Sequence, residues 1–216
     1  MKKSNDESIM KVVKKKFGCW MENGRFIFRI WAPDWDSVHL SIYDHPFDLC
    51  RTLHPMIQHE DQTFEITLDD PLDGKYYTYL LENQYEITDP FSRAVSVNSQ
   101  RSAIVSLKET NPKGWWEQNR PRLEDPVDAI VYEMHVKDFT IDHSSGVALR
   151  GKYLGAAEKG TTHNEVATGL DHLKELGITH IHLMPVFDFL TVDEEEHLFF
   201  KEDNYNWGYD PEHYNV

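Results

Sequence analysis

The hydrophobic period of this chain changes once, near residue 126, and no single layer of regular structure accommodates both halves. Before that point the period is two. Phe26, Phe28 and Ile30 alternate with Ile27 and Arg29, Val38, Leu40 and Ile42 with His39 and Ser41, and Phe64, Ile66 and Leu68 with Thr63, Glu65 and Thr67. Alternation of this kind predicts half-buried β-strands. Ala32-Pro33-Asp34, Asp44-His45-Pro46 and the stretch from Asp69 to Gly74 supply turn chemistry between them. A tyrosine-rich strand from Lys75 to Leu81 follows, and Ser102 to Leu107 is expected to be the last strand of the set. Short strands at such spacing predict an antiparallel sandwich.

After residue 126 the strands lose their polar face. Ala129 to Val136 is nearly continuous in strand formers, the mark of a strand covered on both sides in a parallel sheet. Beyond a Gly-rich loop (144–160), Thr162-His163-Asn164-Glu165 has the spacing of a capping box, and Val166, Leu170, Leu173 and Leu176 recur at helical intervals up to Gly177. A second buried strand is predicted from Thr179 to Met184. Strand, helix and strand make one βαβ unit. The remaining residues fall far short of the roughly 250 that a closed (β/α)8 barrel requires.

Charge and cysteine content narrow the functional classes. Lys and Arg number 22 against 37 Asp and Glu, a formal charge of −15, which repels nucleic acid and anionic lipid and suits a neutral, hydroxyl-rich ligand. The basic residues Lys2, Lys3, Lys11, Lys14, Lys15 and Lys16 concentrate in the first segment, read as a flexible arm. That arm lacks the apolar stretch of a secretory signal, and no apolar run approaches the roughly 20 residues needed to span a bilayer. Cys19 and Cys50 lack zinc-site spacing and are too few for a disulfide framework. A reduced, cytoplasmic protein with no membrane or nucleic-acid partner is expected.

Several motifs then identify a family. Residues 28–44 (FRIWAPDWDSVHLSIYD) and 74–107 resemble the starch-binding-type β-sandwich, the family 48 carbohydrate-binding module, that precedes the catalytic barrel in branching and debranching enzymes. AIVYEMHVKDFT (129–140), GKYLG (151–155), GLDHLKELGITHIHLMPVFDF (169–189), VDE (192–194) and YNWGYDPEHYNV (205–216) resemble, in order, the type I pullulanases of the alpha-amylase superfamily. Lys137 stands where that family more often has arginine. The resemblance implies an α+β chain of two units: an Ig-like antiparallel β-sandwich, then the first βαβ segment of an incomplete TIM (β/α)8 barrel. Its parts are a basic arm over 1–16, the sandwich over 17–108, a linker over 109–126 and the barrel start over 127–216.

The same resemblance implies hydrolysis of alpha-1,6 branch linkages in pullulan, glycogen or limit dextrin by a retaining mechanism. It places the nucleophilic Asp and the acid Glu on later strands, so this chain is expected to hold no catalytic residue, to be inactive alone and to need the C-terminal barrel of the same enzyme. No cofactor is implied. A non-catalytic glucan-binding or regulatory protein, and a branching enzyme or isoamylase, remain as alternatives.

Candidate sugar contacts follow from residue chemistry. Tyr209 and Trp207 offer ring faces that match the C–H face of a pyranose, and Asn206 and Asp210 can hydrogen-bond hydroxyls. The family match implies Tyr209 as the platform under the sugar at the cleavage point. Trp35, in a turn, is the sandwich's candidate for exposure and stacking on glucan, with a ring folded over the sandwich edge as the alternative, whereas Trp31 is read as core. His180 and His182 share one face of a strand but lack a third metal ligand, so they are read as buried, hydrogen-bonded side chains or as contacts one layer behind a site. Asp193-Glu194-Glu195-Glu196 lacks calcium-loop spacing and is read as a solvated loop, so no metal is expected. Glu133 and Asp138 are read as structural.

Overall fold

The computed structural model describes residues 12–119 and 121–216, so most of the basic arm lies outside the described residues. The chain is mostly β, with antiparallel sheets and few helices. Two compact units result: residues 1–112 with 190–204 and 211–216, and residues 113–189 with 205–210. Among the described residues no helix is long and apolar enough to cross a membrane.

The first unit contains two antiparallel sheets. One has the order β1 (Gly18–Glu22), β2 (Arg25–Trp31), β6 (Thr63–Leu68), β5 (Ile57–Gln58). The other has the order β4 (Thr52–Pro55), β3 (Val38–Tyr43), β7 (Tyr76–Leu81), β8 (Tyr85–Ile87), with β9 (Ser102–Ala103) also on β7. Register puts Phe28 opposite Ile66 and Ile30 opposite Phe64, so one face of β2 and β6 is apolar. That face packs with Leu40, Ile42, Tyr77, Tyr79 and Leu81 in one buried cluster. The three strands anticipated from period two, and the tyrosine-rich strand after them, are present as β2, β3, β6 and β7. The central β3 and β7 go further than half-burial, with five of six residues buried in each.

Three expectations for this unit need correction. Trp31 is 42% exposed, because period two buries Phe26, Phe28 and Ile30 and turns the next residue outward. Trp35 is half-buried and packs against the core, its ring 5.4 Å from that of Tyr85, instead of standing exposed. The strand foreseen at Ser102 to Leu107 ends at Ala103. Its neighbour β7 begins at Tyr76, Ile104 already bonds across the turn to Gly74 and Lys75, and later residues have no ladder to join. The buried Asp89 closes this core. It receives the hydroxyls of Tyr77 (2.8 Å) and Tyr79 (3.1 Å) on one oxygen and the Phe91 amide on the other. Burial pushes its carboxyl up, against the pull of those donors.

The second unit is organised by a parallel pair, β10 (Val131–Met134) and β13 (His180–Leu183), in the register Val131 to His180 through Met134 to Leu183. Helices Val136–Thr140 and Gly169–Glu175 lie between them in sequence, the latter burying Leu173. The capping box foreseen at Thr162 to Glu165 is instead a hairpin of β11 (Thr162–His163) and β12 (Val166–Ala167). Asn164 and Glu165 both have positive φ, as a tight two-residue hairpin turn demands, and Thr168 takes the N-cap position of the helix. The parallel strands are not covered as expected. Ile181 and Leu183 are 43% and 41% exposed, and His180 and His182 are exposed rather than buried, because each strand has a single paired neighbour and none of β13 is enclosed.

Candidate functional site

The carboxyl ends of β10 and β13 and the loop 205–210 belong to the same unit, and three local devices hold that loop. The first is a glycine. Gly208 has φ +94°, and a methyl group in its place would lie 2.3 Å from the Pro185 carbonyl oxygen, just beyond β13. Only a residue without Cβ allows that approach.

The second device is an internal clamp. Asn206 donates its side-chain amide to the Asp210 carboxylate, and its amide oxygen accepts the Gly208 backbone N–H. Asn206 and Asp210 therefore shape the turn first and face any ligand second. The third device anchors the loop to the end of β10. The Tyr205 hydroxyl donates to the Asp138 carboxylate at 2.5 Å, and the Tyr205 ring lies 5.3 Å from that of the buried His135. His135 Nδ1 accepts the Asp138 amide at 3.3 Å, capping the short helix that carries Asp138. Burial, then the hydrogen bond and charge of Asp138, push the Tyr205 phenol up to about 12.

With the loop so held, two rings are left outward. Trp207 is 62% exposed and Tyr209 68%. Adjacent exposed aromatic faces on a constrained backbone suit an apolar-faced, hydroxylated ring such as a sugar, and no acid or base stands among the six loop residues other than the clamped Asp210 and the tyrosines.

The sequence-selected residues divide accordingly. Asn206, Trp207, Tyr209 and Asp210 are together in the loop, while Trp35 belongs to the other unit. Glu133 pairs with His182 across the parallel strands at 3.4 Å, and His180 Nδ1 lies 2.8 Å from the Thr179 hydroxyl. The acidic run is exposed yet not merely solvated: Asn98 donates its side-chain amide to Asp193 at 3.1 Å and its backbone N–H to Glu194 at 2.7 Å, and accepts the Glu194 N–H at 2.8 Å.

Comparison with known proteins bears on this arrangement. No protein-family model matches the chain. The pullulanase of Bacillus subtilis strain 168 is 36% identical over 192 residues, which cover 87% of this chain and 25% of that protein. The chain is homologous to the pullulanases. It matches their N-terminal portion. A pullulanase of Paenibacillus barengoltzii, crystallised in complex with maltohexaose and alpha-cyclodextrin, superposes with a TM-score of 0.87 at 35% identity, over 98% of this chain and 34% of that one. A pullulanase of Anoxybacillus sp. LM18-11 complexed with maltotetraose gives 0.80 at 40% identity, over 93% and 29%. This pullulanase homologue thus spans about a quarter to a third of the length of these three relatives.

Sequence reasoning missed Gly208 and His135 and assigned Asp138 no partner. A glycine flanked by two aromatic residues was a visible signal for a close backbone approach. Nothing local predicted the pairing of Asp138 with Tyr205, 67 positions apart.

Proposed function

We propose that this chain is the N-terminal part of a pullulanase-like enzyme that hydrolyses alpha-1,6-glucosidic linkages in branched alpha-glucans. In this reading residues 17–108 form an Ig-like module of the carbohydrate-binding type and residues 127–216 open a (β/α)8 barrel. β10 and β13 are the barrel's first two strands. The observation that carries the reading is the terminal loop, braced by Gly208 on Pro185 and by Tyr205 on Asp138, with the Tyr209 ring turned to solvent. Loops at the carboxyl ends of barrel strands build the active-site face. The maltooligosaccharide complexes of the two homologous pullulanases support alpha-glucan as the ligand.

Tyr209 is the stacking face beneath the sugar ring at the scissile bond. An oxocarbenium-like sugar is electron-poor, so an aromatic ring below it stabilises the transition state more than the ground state. The nucleophilic and acid carboxylates of the retaining mechanism are supplied by later strands, and the 216-residue chain alone hydrolyses nothing. The test is pullulan hydrolysis by the enzyme carrying this N-terminal region. Tyr209→Ala is expected to lower kcat/KM by about 10- to 1000-fold, about 1.4–4 kcal/mol on the transition-state scale, with Tyr209→Phe retaining most activity. An unchanged kcat/KM in a folded Tyr209→Ala enzyme, or reducing-sugar release by the isolated chain, overturns the reading.

A further inference from the structure

The Tyr205 hydroxyl joins two hydrogen bonds. It donates to the Asp138 carboxylate at 2.5 Å, and its oxygen accepts the Trp207 side chain, whose indole N–H can only donate. Burial and then Asp138 push the phenol up, and the Trp207 bond pulls against them. The direction of this chain of bonds is set at its far end. An ionised carboxylate accepts and cannot donate, so the phenol proton turns toward Asp138 and the oxygen lone pairs are left for the indole. Linked in series, each bond polarises the next.

Both ends of the relay are seated within the second unit. Asp138 is carried by the helix Val136–Thr140, its amide bonded to Nδ1 of the buried His135 at 3.3 Å, and the Tyr205 ring lies 5.3 Å from the His135 ring. On the other side of Trp207, Gly208 brings the backbone against the Pro185 carbonyl. Trp207 is therefore tied at its indole nitrogen and at the neighbouring backbone, and still it is 62% exposed. A tryptophan that served packing alone would bury its faces, whereas this ring is held by its polar edge and keeps apolar surface in solvent.

We propose that Asp138 is a positioning residue, which acts through Tyr205 to hold the Trp207 ring in one plane as a second platform for a glucose unit of the bound alpha-glucan. The inference rests on the terminal loop being the glucan site, and adds to it the residue that presets Trp207. A ring already immobilised spares the ligand the entropy of ordering it, equivalent to roughly 2- to 10-fold in affinity. Trp207 makes the same contact in the ground state and the transition state, so this gain belongs to KM, whereas Tyr209 acts on the reacting sugar in the transition state.

Pullulan hydrolysis by the enzyme carrying this N-terminal region tests it, with Tyr205→Phe, Asp138→Asn, Trp207→Ala and Tyr209→Ala. Tyr205→Phe keeps the ring beside His135 and removes the oxygen that joins the two bonds. It is expected to raise KM about 2- to 10-fold with kcat within about twofold of the parent, and Asp138→Asn to act in the same direction. On the Trp207→Ala background Tyr205→Phe should add nothing, since both remove one platform. Near-ultraviolet circular dichroism of the 216-residue chain supplies the signature: the tryptophan band lost in Trp207→Ala should also be lost in Tyr205→Phe, with Tm and the protease resistance of the loop kept. An unchanged KM or a retained band in Tyr205→Phe, additive effects of Tyr205→Phe and Trp207→Ala, or an equal fall in kcat overturns the proposal. If Tyr209→Ala is impaired while Tyr205→Phe is not, this inference alone fails; an unimpaired Tyr209→Ala removes the glucan site and the inference with it.

Discussion

Gly208 and Tyr205 set the pose of the terminal loop more than the rings it presents. Replacing Gly208 by alanine forces an L-residue to φ +94° and drives a methyl group into the Pro185 carbonyl. The substitution should cost about 1–3 kcal/mol of local stability and open the loop to protease near Trp207 while the far-ultraviolet circular dichroism is kept. Tyr205 offers a spectroscopic counterpart. Its phenol is raised to about 12, by burial and then by Asp138, whereas an unfolded tyrosine titrates near ~10. A folded value above the unfolded one favours the protonated phenol in the folded state. Its contribution is therefore complete below pH ~10 and lost as pH rises through about 12. Absorbance titration should show Tyr205 among several late-ionising tyrosines, the buried Tyr77 and Tyr79 included, and Asp138→Asn should return the Tyr205 step alone toward the ordinary range. A titration unaltered by that change would remove Asp138 as the anchor.

At the scale of elements, neighbouring aromatics on one strand have opposite fates. Phe28 is fully buried, 5.0 Å edge-on from Tyr77, while Trp31 on the same β2 looks outward. Phe28→Ala should cost about 3–5 kcal/mol, the range for a large buried side chain that leaves a cavity. Trp31→Ala should cost less, about 1–2 kcal/mol, since Trp31 lies outside the core cluster and its ring is partly in solvent. Chemical denaturation of both variants checks this, and similar losses would mean that Trp31 carries packing its exposure conceals. The alternating pattern contained this answer at Phe26, Phe28 and Ile30, whose phase turns Trp31 outward. The hairpin at Thr162 to Ala167 was harder to see. Thr-His-Asn-Glu fits a capping box as well as a tight turn, and the positive φ of Asn164 and Glu165, which decides between them, is set by strand pairing rather than by residue type.

For the molecule as a whole, the stretch that leads from the first unit into the second is the expected point of attack by protease. Trp116, Glu117, Gln118 and Asn119, and then residues 121–128, are all exposed, with short 3-10 turns as their only regular structure. Limited proteolysis should cut first between residues 116 and 128, before the hydrogen-bonded core strands β2, β3, β6 and β7. Initial cleavage inside those strands would contradict this. The hydrophobic pattern determined by itself where β2, β3, β6 and β7 lie, that a parallel pair follows, and that the aromatic loop comes after its second strand. Those are matters of local spacing, and side-chain direction in a strand repeats every second residue whatever the surroundings. Tertiary structure alone decided that β3 and β7 are buried on both faces, that β10 and β13 are not, and that Asp138 receives Tyr205 and Asn98 holds Asp193 and Glu194. Burial and pairing depend on which distant segments arrive at a face, and a contact between residues 67 or 95 positions apart leaves no periodic trace in one sequence.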